Sequence, residues 1–111
     1  MSPRLNRPLM LEDRQRQPDG SGGYSEAWVA LGEIWADVSA RTGRGTDLGP
    51  LATARTGYRI VVRGAPVGTP SRPVAGQRFR EGTRLFRIEA VAERDSEGRH
   101  LICFAHEEVA A

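Results

Sequence analysis

Lysine is missing altogether; all sixteen basic residues are arginine. That removes Schiff-base chemistry and a P-loop lysine from consideration. Cysteine occurs once, at Cys103, so no internal disulfide can form, and a cytosolic origin fits. Long apolar runs are absent, and none approaches the roughly 20 residues of a membrane span. The N-terminus has no apolar stretch of the kind a secretory signal needs. Aromatics are few, with two Trp, two Tyr and three Phe. A formal net charge of +2 is too small to imply a nucleic-acid partner by itself. Any basic surface must come from local clustering.

What is present points to turns and short strands. The 111 residues fit one domain with one modest core. Thirteen Gly and seven Pro favour turns over long helices. Residues 1–8, with two prolines and two arginines, read as an extended arm. Leu9-Met10-Leu11 opens a first strand. The run Pro18-Asp19-Gly20-Ser21-Gly22-Gly23 is a hairpin signal, because glycine supplies the positive φ such turns need. Ile34, Ala36 and Val38 alternate with Trp35, Asp37 and Ser39, a period of two. Trp35 opposite Ile34 implies cover on both faces.

Residues 39–56 form a long segment poor in apolar side chains, carrying Arg41, Arg44, Arg55 and Pro50. A loop this long in a compact domain is functional or disordered. Asp47 is placed to cap a short helix reaching Ala54. Beyond it, Tyr58, Ile60 and Val62 face one way, and Arg59, Val61 and Arg63 the other. Residues 64–76 are loop, with three prolines and three glycines. Gln77 to Arg80 pairs briefly. From Arg84 to Glu93, strict alternation puts Phe86, Ile88, Ala90 and Ala92 on one face, with Arg87, Glu89 and Glu93 opposite. A turn at Asp95–Gly98 leads to the returning strand Arg99–Ala105, apolar on both faces and therefore central. The expected fold is all-β: a small antiparallel barrel over 9–108 with long loops, at most one short helix, and a tail at 109–111. Trp28, Trp35, Phe86 and Phe104 are the expected aromatic core.

Sites for chemistry are hard to assemble. His100, Cys103 and His106 have a ligand-like spacing. On a strand, however, the two histidines stand roughly 20 Å apart with the cysteine on the opposite face. Glu89 and Glu93, about 13 Å apart along one strand, are too distant for paired acid–base work. No nucleophile, base and orienter converge. Neither a catalytic residue, a metal nor a cofactor is expected. The remaining features are two basic groups: Arg41, Arg44 and Arg55 in the long loop, and Arg78, Arg80, Arg84 and Arg87 around the fourth strand. A single-strand-binding module would interleave aromatics with such arginines to stack bases.

Taken in order, these elements resemble the phage head–tail joining proteins, also called head-closure or stopper proteins. The resemblance runs from about Leu9 to Glu108. Its marks are Leu9-Met10-Leu11, the Asp19-Gly20-x-Gly22-Gly23 turn, Trp28, and the strand Ile34-Trp35-Ala36-Asp37-Val38. They continue through Arg59-Ile60-Val61-Val62-Arg63, Phe86-Arg87-Ile88-Glu89-Ala90-Val91, the Asp95–Arg99 hairpin and Leu101–Phe104. A similar protein serves gene transfer agents, whose composition this arginine-only, alanine-rich chain would suit.

The resemblance implies a β-barrel in a ring of roughly six or twelve copies of itself. The ring would sit at the head–tail interface of a particle assembled in the bacterial cytoplasm. Adaptor and portal proteins would lie above it and a tail terminator or tail tube below. Packaged double-stranded DNA would occupy the channel, and no membrane is involved. It further implies that loop 39–56 projects toward that channel, bringing Arg41, Arg44 and Arg55 near DNA. Its glycines and Pro50 depart from the commoner pattern. Candidate contacts with other copies or partners are Arg4, Arg7, Arg59, Arg63, Arg87, Glu89, Glu107 and Glu108. The competing readings are an OB- or SH3-like nucleic-acid-binding module built on Arg78, Arg80, Arg84 and Arg87, and a neighbouring adaptor or tail-terminator part.

Overall fold

The computed structural model describes residues 2–41 and 56–108. Residues 42–55 and 109–111 lie outside it, and with them the Asp47–Ala54 helix, Arg44, Arg55 and the tail. The described residues form six strands and no helix. They are β1 (Arg7–Pro18), β2 (Tyr24–Ala40), β3 (Thr56–Arg63), β4 (Arg78–Glu81), β5 (Arg84–Glu93) and β6 (His100–Glu108). All pair antiparallel, in the order β1-β2-β3-β6-β5-β4, and β4 returns to β1 to close a barrel. The expected all-β barrel is what forms, and β6 is central between β3 and β5 as its two apolar faces require.

Alternation fills the interior. Leu9 and Leu11 of β1, Ala36 of β2, Ile60 and Val62 of β3, Phe79 of β4, Phe86 and Ile88 of β5, and Leu101, Cys103 and Ala105 of β6 are all buried in one cluster. Each such branched or aromatic side chain contributes roughly 1.5–3 kcal/mol on burial. The alternation slips at two bulges. In β2, Leu11 pairs with Gly32 and Glu12 with Ala30, so Leu31 is the extra residue and packs against the core.

In β5 the register shifts between Ile88 and Ala90. Beyond that point Val91 pairs with Cys103 and turns inward, while Ala90 and Ala92 pair with Phe104 and Ile102 outside. Strict alternation had put Ala90 and Ala92 with Phe86 and Ile88, and had put Glu89 and Glu93 on one face. One inserted residue reverses the phase of everything after it. The aromatics also need correction. Phe86 is core, but Trp35 is 51% exposed and Trp28 and Phe104 are only half-buried on the outer surface. Trp35 alternates with the inward Ile34 and Ala36, Phe104 alternates with the inward Cys103 and Ala105, and Trp28 lies beyond the β1–β4 pairing.

β1 and β2 continue past the barrel. Their pairing runs on from Asp13↔Val29 to Pro18↔Tyr24, whereas β4 meets β1 only at Met10, Leu11 and Glu12. β3 meets β2 only from Ala36 to Ala40. Among the described residues, the result is a two-stranded ribbon with an open edge on each side. Its tip is fixed by Asp19, whose carboxylate accepts the N–H groups of Ser21 and Gly23 at 2.8 and 3.1 Å. At this same end of the barrel the chain leaves β3 through Gly64, whose N–H donates to the Arg99 carbonyl at 2.7 Å. A Cβ on Gly64 would collide with the carbonyl oxygen of Gly98. Backbone cannot step aside as a flexible side chain can. Gly64→Ala is expected to lower stability by about 1–3 kcal/mol in urea denaturation at unchanged m-value. An unaltered midpoint would show that the β3–β6 approach is looser than described.

Candidate functional site

Three constellations of charged and aromatic side chains occupy the barrel. The first closes it at the end where β1, β3 and β5 begin and β2, β4 and β6 end. Two residues beyond the buried Leu9, Ile60, Phe79, Phe86 and Ala105, the same inward alternation brings in Arg7, Tyr58, Glu81, Arg84 and Glu107. Arg7 holds Glu81 through two hydrogen bonds, Nε to Oε2 at 3.0 Å and Nη2 to Oε1 at 2.5 Å. Arg84 holds Glu107 likewise, at 2.8 and 3.2 Å. The Tyr58 hydroxyl donates to Glu107 at 3.1 Å and accepts from Arg84 at 3.1 Å. Its ring packs edge-on against Phe86. The Arg7 hydrogen bonds hold the Glu81 carboxyl below its ordinary range, and those from Arg84 do the same for Glu107. This polar layer caps an interior already filled by side chains, so nothing passes through a single barrel.

The second lies on the outside of the β1–β4 seam. Glu12 is buried and accepts from Arg78 Nε at 2.7 Å and from Arg80 Nε at 2.8 Å. Burial alone would raise its carboxyl, but the hydrogen bonds from Arg80 and Arg78 outweigh that, and the net effect is downward. Beside it, the Trp28 ring has three guanidiniums around it. Arg78, Arg14 and Arg87 lie 4.2, 5.1 and 5.2 Å from its centroid. Such contacts are worth roughly 0.5–2 kcal/mol each. They tie the root of the ribbon to β4 and β5.

The third is the outer face of β3 and β6. Val61, Ile102 and Phe104 line its centre, with Arg59 and Arg63 exposed on β3. The guanidinium of Arg41, just beyond β2, lies 5.5 Å from the centroid of the Phe104 ring.

Among the residues singled out from sequence, Arg7 and Glu107 are therefore engaged inside their own chain. Arg87 pairs with Glu108 at 3.5 Å. Glu89 Oε1 lies 3.2 Å from His106 Nδ1, without the alignment of a hydrogen bond. The Arg4 backbone N–H donates to Asp37 at 3.0 Å. Arg78, Arg80, Arg84 and Arg87 do not form one free basic surface, since Glu12, Glu107 and Glu108 hold them. Glu12 and Glu81 were missed. The one clue to Glu12 was a lone carboxylate following two core leucines; its partners come from a strand more than sixty residues away.

Cys103 is buried, which pushes its thiol up to about 12. It is not gathered with His100 and His106, and no metal-binding group of residues occurs among the described residues.

A family model described as phage head completion protein matches residues 1–108. The chain belongs to the phage head completion protein family. A chain in the virion of a native gene transfer agent particle is 52% identical, with a TM-score of 0.78, covering 99% of this chain and 100% of that one. Protein SF1141 from Shigella flexneri 2a, known from a solution structure, has a TM-score of 0.71 at 18% identity, over 97% and 96% of the two chains. At that identity the likeness is one of fold. None of the curated proteins compared matches. The resemblance read from sequence, to head-closure proteins and to a gene transfer agent part, is thus borne out. A head completion protein works as structure, through its surfaces.

The buried Glu12 clamp yields a test. Glu12→Gln should cost about 1–3 kcal/mol at neutral pH, against less than about 1 kcal/mol for Glu26→Gln on the exposed Arg14 pair. A carboxyl lowered on folding stabilises above its unfolded value of about 4.3 and loses that contribution as pH falls through the lower folded value. The gap between wild type and Glu12→Gln should therefore close below about pH 4. Equal costs for the two variants, or a gap independent of pH, would contradict the clamp.

Proposed function

We propose that this head completion protein forms a ring between the portal and adaptor above and the tail below, and that the ring helps keep packaged DNA in the head. The observation that carries this is the full-length identity of 52% to a chain within a gene transfer agent virion, together with the family match. The packed barrel adds a constraint. Its interior holds the core and a polar cap, so duplex DNA runs along the axis enclosed by several copies. On this reading the part is not an enzyme, binds no cofactor and acts by contact alone.

Arg41 stands at the end of the barrel from which the connection between β2 and β3 departs. We assign Arg41, with Arg44 and Arg55 of that connection, to the DNA-facing side. Arginine suits this task because its fixed charge contacts phosphates bidentately and without base preference. A free-standing nucleic-acid module using Arg78, Arg80, Arg84 and Arg87 is disfavoured because each of the four is already paired with a carboxylate, Arg78 and Arg80 sharing Glu12.

Particles produced without the chain should give DNA-filled heads and separate tails, rejoined by supplying it. Particles carrying Arg41→Glu with Arg44→Glu should assemble but lose nuclease-protected DNA at least tenfold. Tailed, infectious particles without the chain would contradict the head-completion role. Full DNA retention in the double variant would remove the arginines' part in it.

A further inference from the structure

Two surfaces of the barrel are electrostatically unbalanced, and in opposite senses. On the β3–β6 face, Arg41, Arg59 and Arg63 surround Val61, Ile102 and Phe104. None of these three arginines has a carboxylate partner among the described residues. The ribbon and its root have the opposite balance. They bear Asp13, Asp19, Glu26 and Glu33 against Arg14 and Arg16, with Arg14 paired to Glu26 and the root's Arg78 and Arg87 held by Glu12 and Glu108. Tyr24 at the ribbon's tip is 63% exposed, and the outer edge of β2 from Tyr24 to Trp35 has no strand partner among the described residues. Within one copy the ribbon runs away from this face, past the last β2–β3 pair at Ala36↔Val62.

We infer that the β1–β2 ribbon of one copy lies across the outer face of β3 and β6 of the next, setting its carboxylates against Arg59 and Arg63 and leaving Arg41 at the channel end of that face. The contact joins two different patches, so it repeats head to tail and closes when the rotation allows. It rests on the proposed assembly into a ring, and it names the surfaces that make the ring. DNA phosphates are the rival occupant of the arginine face. The half-buried apolar strip at its centre favours a protein surface, since a phosphate backbone gains little from Ile102 and Phe104.

Ser25 and Ser39 make the test. Both are exposed on β2, fourteen residues apart, so roughly 45 Å separates them in one copy. Cys103 is buried and adds no accessible thiol. In assembled particles, Ser25→Cys with Ser39→Cys should give a ladder of covalent multimers with a short bismaleimide. Neither single variant should link to itself.

Adding Arg59→Glu and Arg63→Glu should reduce the ladder at least tenfold, and adding Glu26→Arg and Glu33→Arg to that should restore it. Particles that contain the chain but give no ladder would overturn the interface and leave the ring standing. Self-linking single variants would also overturn it, as would a ladder untouched by charge reversal or a loss that the second reversal does not rescue. Particles without the double-cysteine chain, when the wild-type chain is also excluded, would contradict the head-completion role itself.

Discussion

The fold depends on a short seam. Only Met10, Leu11 and Glu12 of β1 pair with β4, and without that pairing the six strands would be an open sheet with two exposed edges. Open edges invite pairing with other chains. The seam is secured from both sides. Leu11 and Phe79 are buried within, while Glu12 draws Arg78 and Arg80 together outside. A carboxylate taken out of water is costly unless charge and geometry compensate it. Here two guanidiniums supply both, and a buried acid becomes a clamp between strands far apart in sequence.

Closure at that point decides what is left for function. The barrel is solid, capped at one end by Arg7, Glu81, Arg84, Tyr58 and Glu107, so its work is done on its outer faces. Because the seam is only three residues long, β1 and β2 run on as a free ribbon instead of ending with the barrel. On the other side, β3 follows β2 only from Ala36 to Ala40, so the first part of that edge of β2 has no partner among the described residues. The parts that stabilise the chain and the parts available to partners are thus separated. Most arginines near β4 and β5 are spent holding the fold, whereas Arg59 and Arg63 of β3 meet no carboxylate among the described residues.

Much of this was legible from the residues. Tyr58-x-Ile60-x-Val62 and Phe86-x-Ile88 announce strands by their period, and Asp19 with its glycines announces a hairpin. The order of these motifs is what pointed to the family. Other features were not legible because they depend on pairing. Nothing local marks Glu89 as the residue after which β5 reverses its faces, nor shows that Leu31 is the extra residue in β2. Trp35 reads as core by hydrophobicity alone, yet it lies on the strand face that β3 and β1 leave uncovered. The arginine groups were visible as charge, but which of them are neutralised is a matter of tertiary neighbours: Arg84 meets Glu107 across two strands, and Arg59 meets no acid among the described residues.

A cryo-electron microscopy map of the head–tail region of the particle would test the central claim most directly. The account predicts closed, filled barrels arranged around an axial duplex, each sealed between β1 and β4, with no nucleic acid inside any single copy. Barrels opened at that seam by an inserted strand from another chain, or particles whose junction lacks this protein, would contradict it.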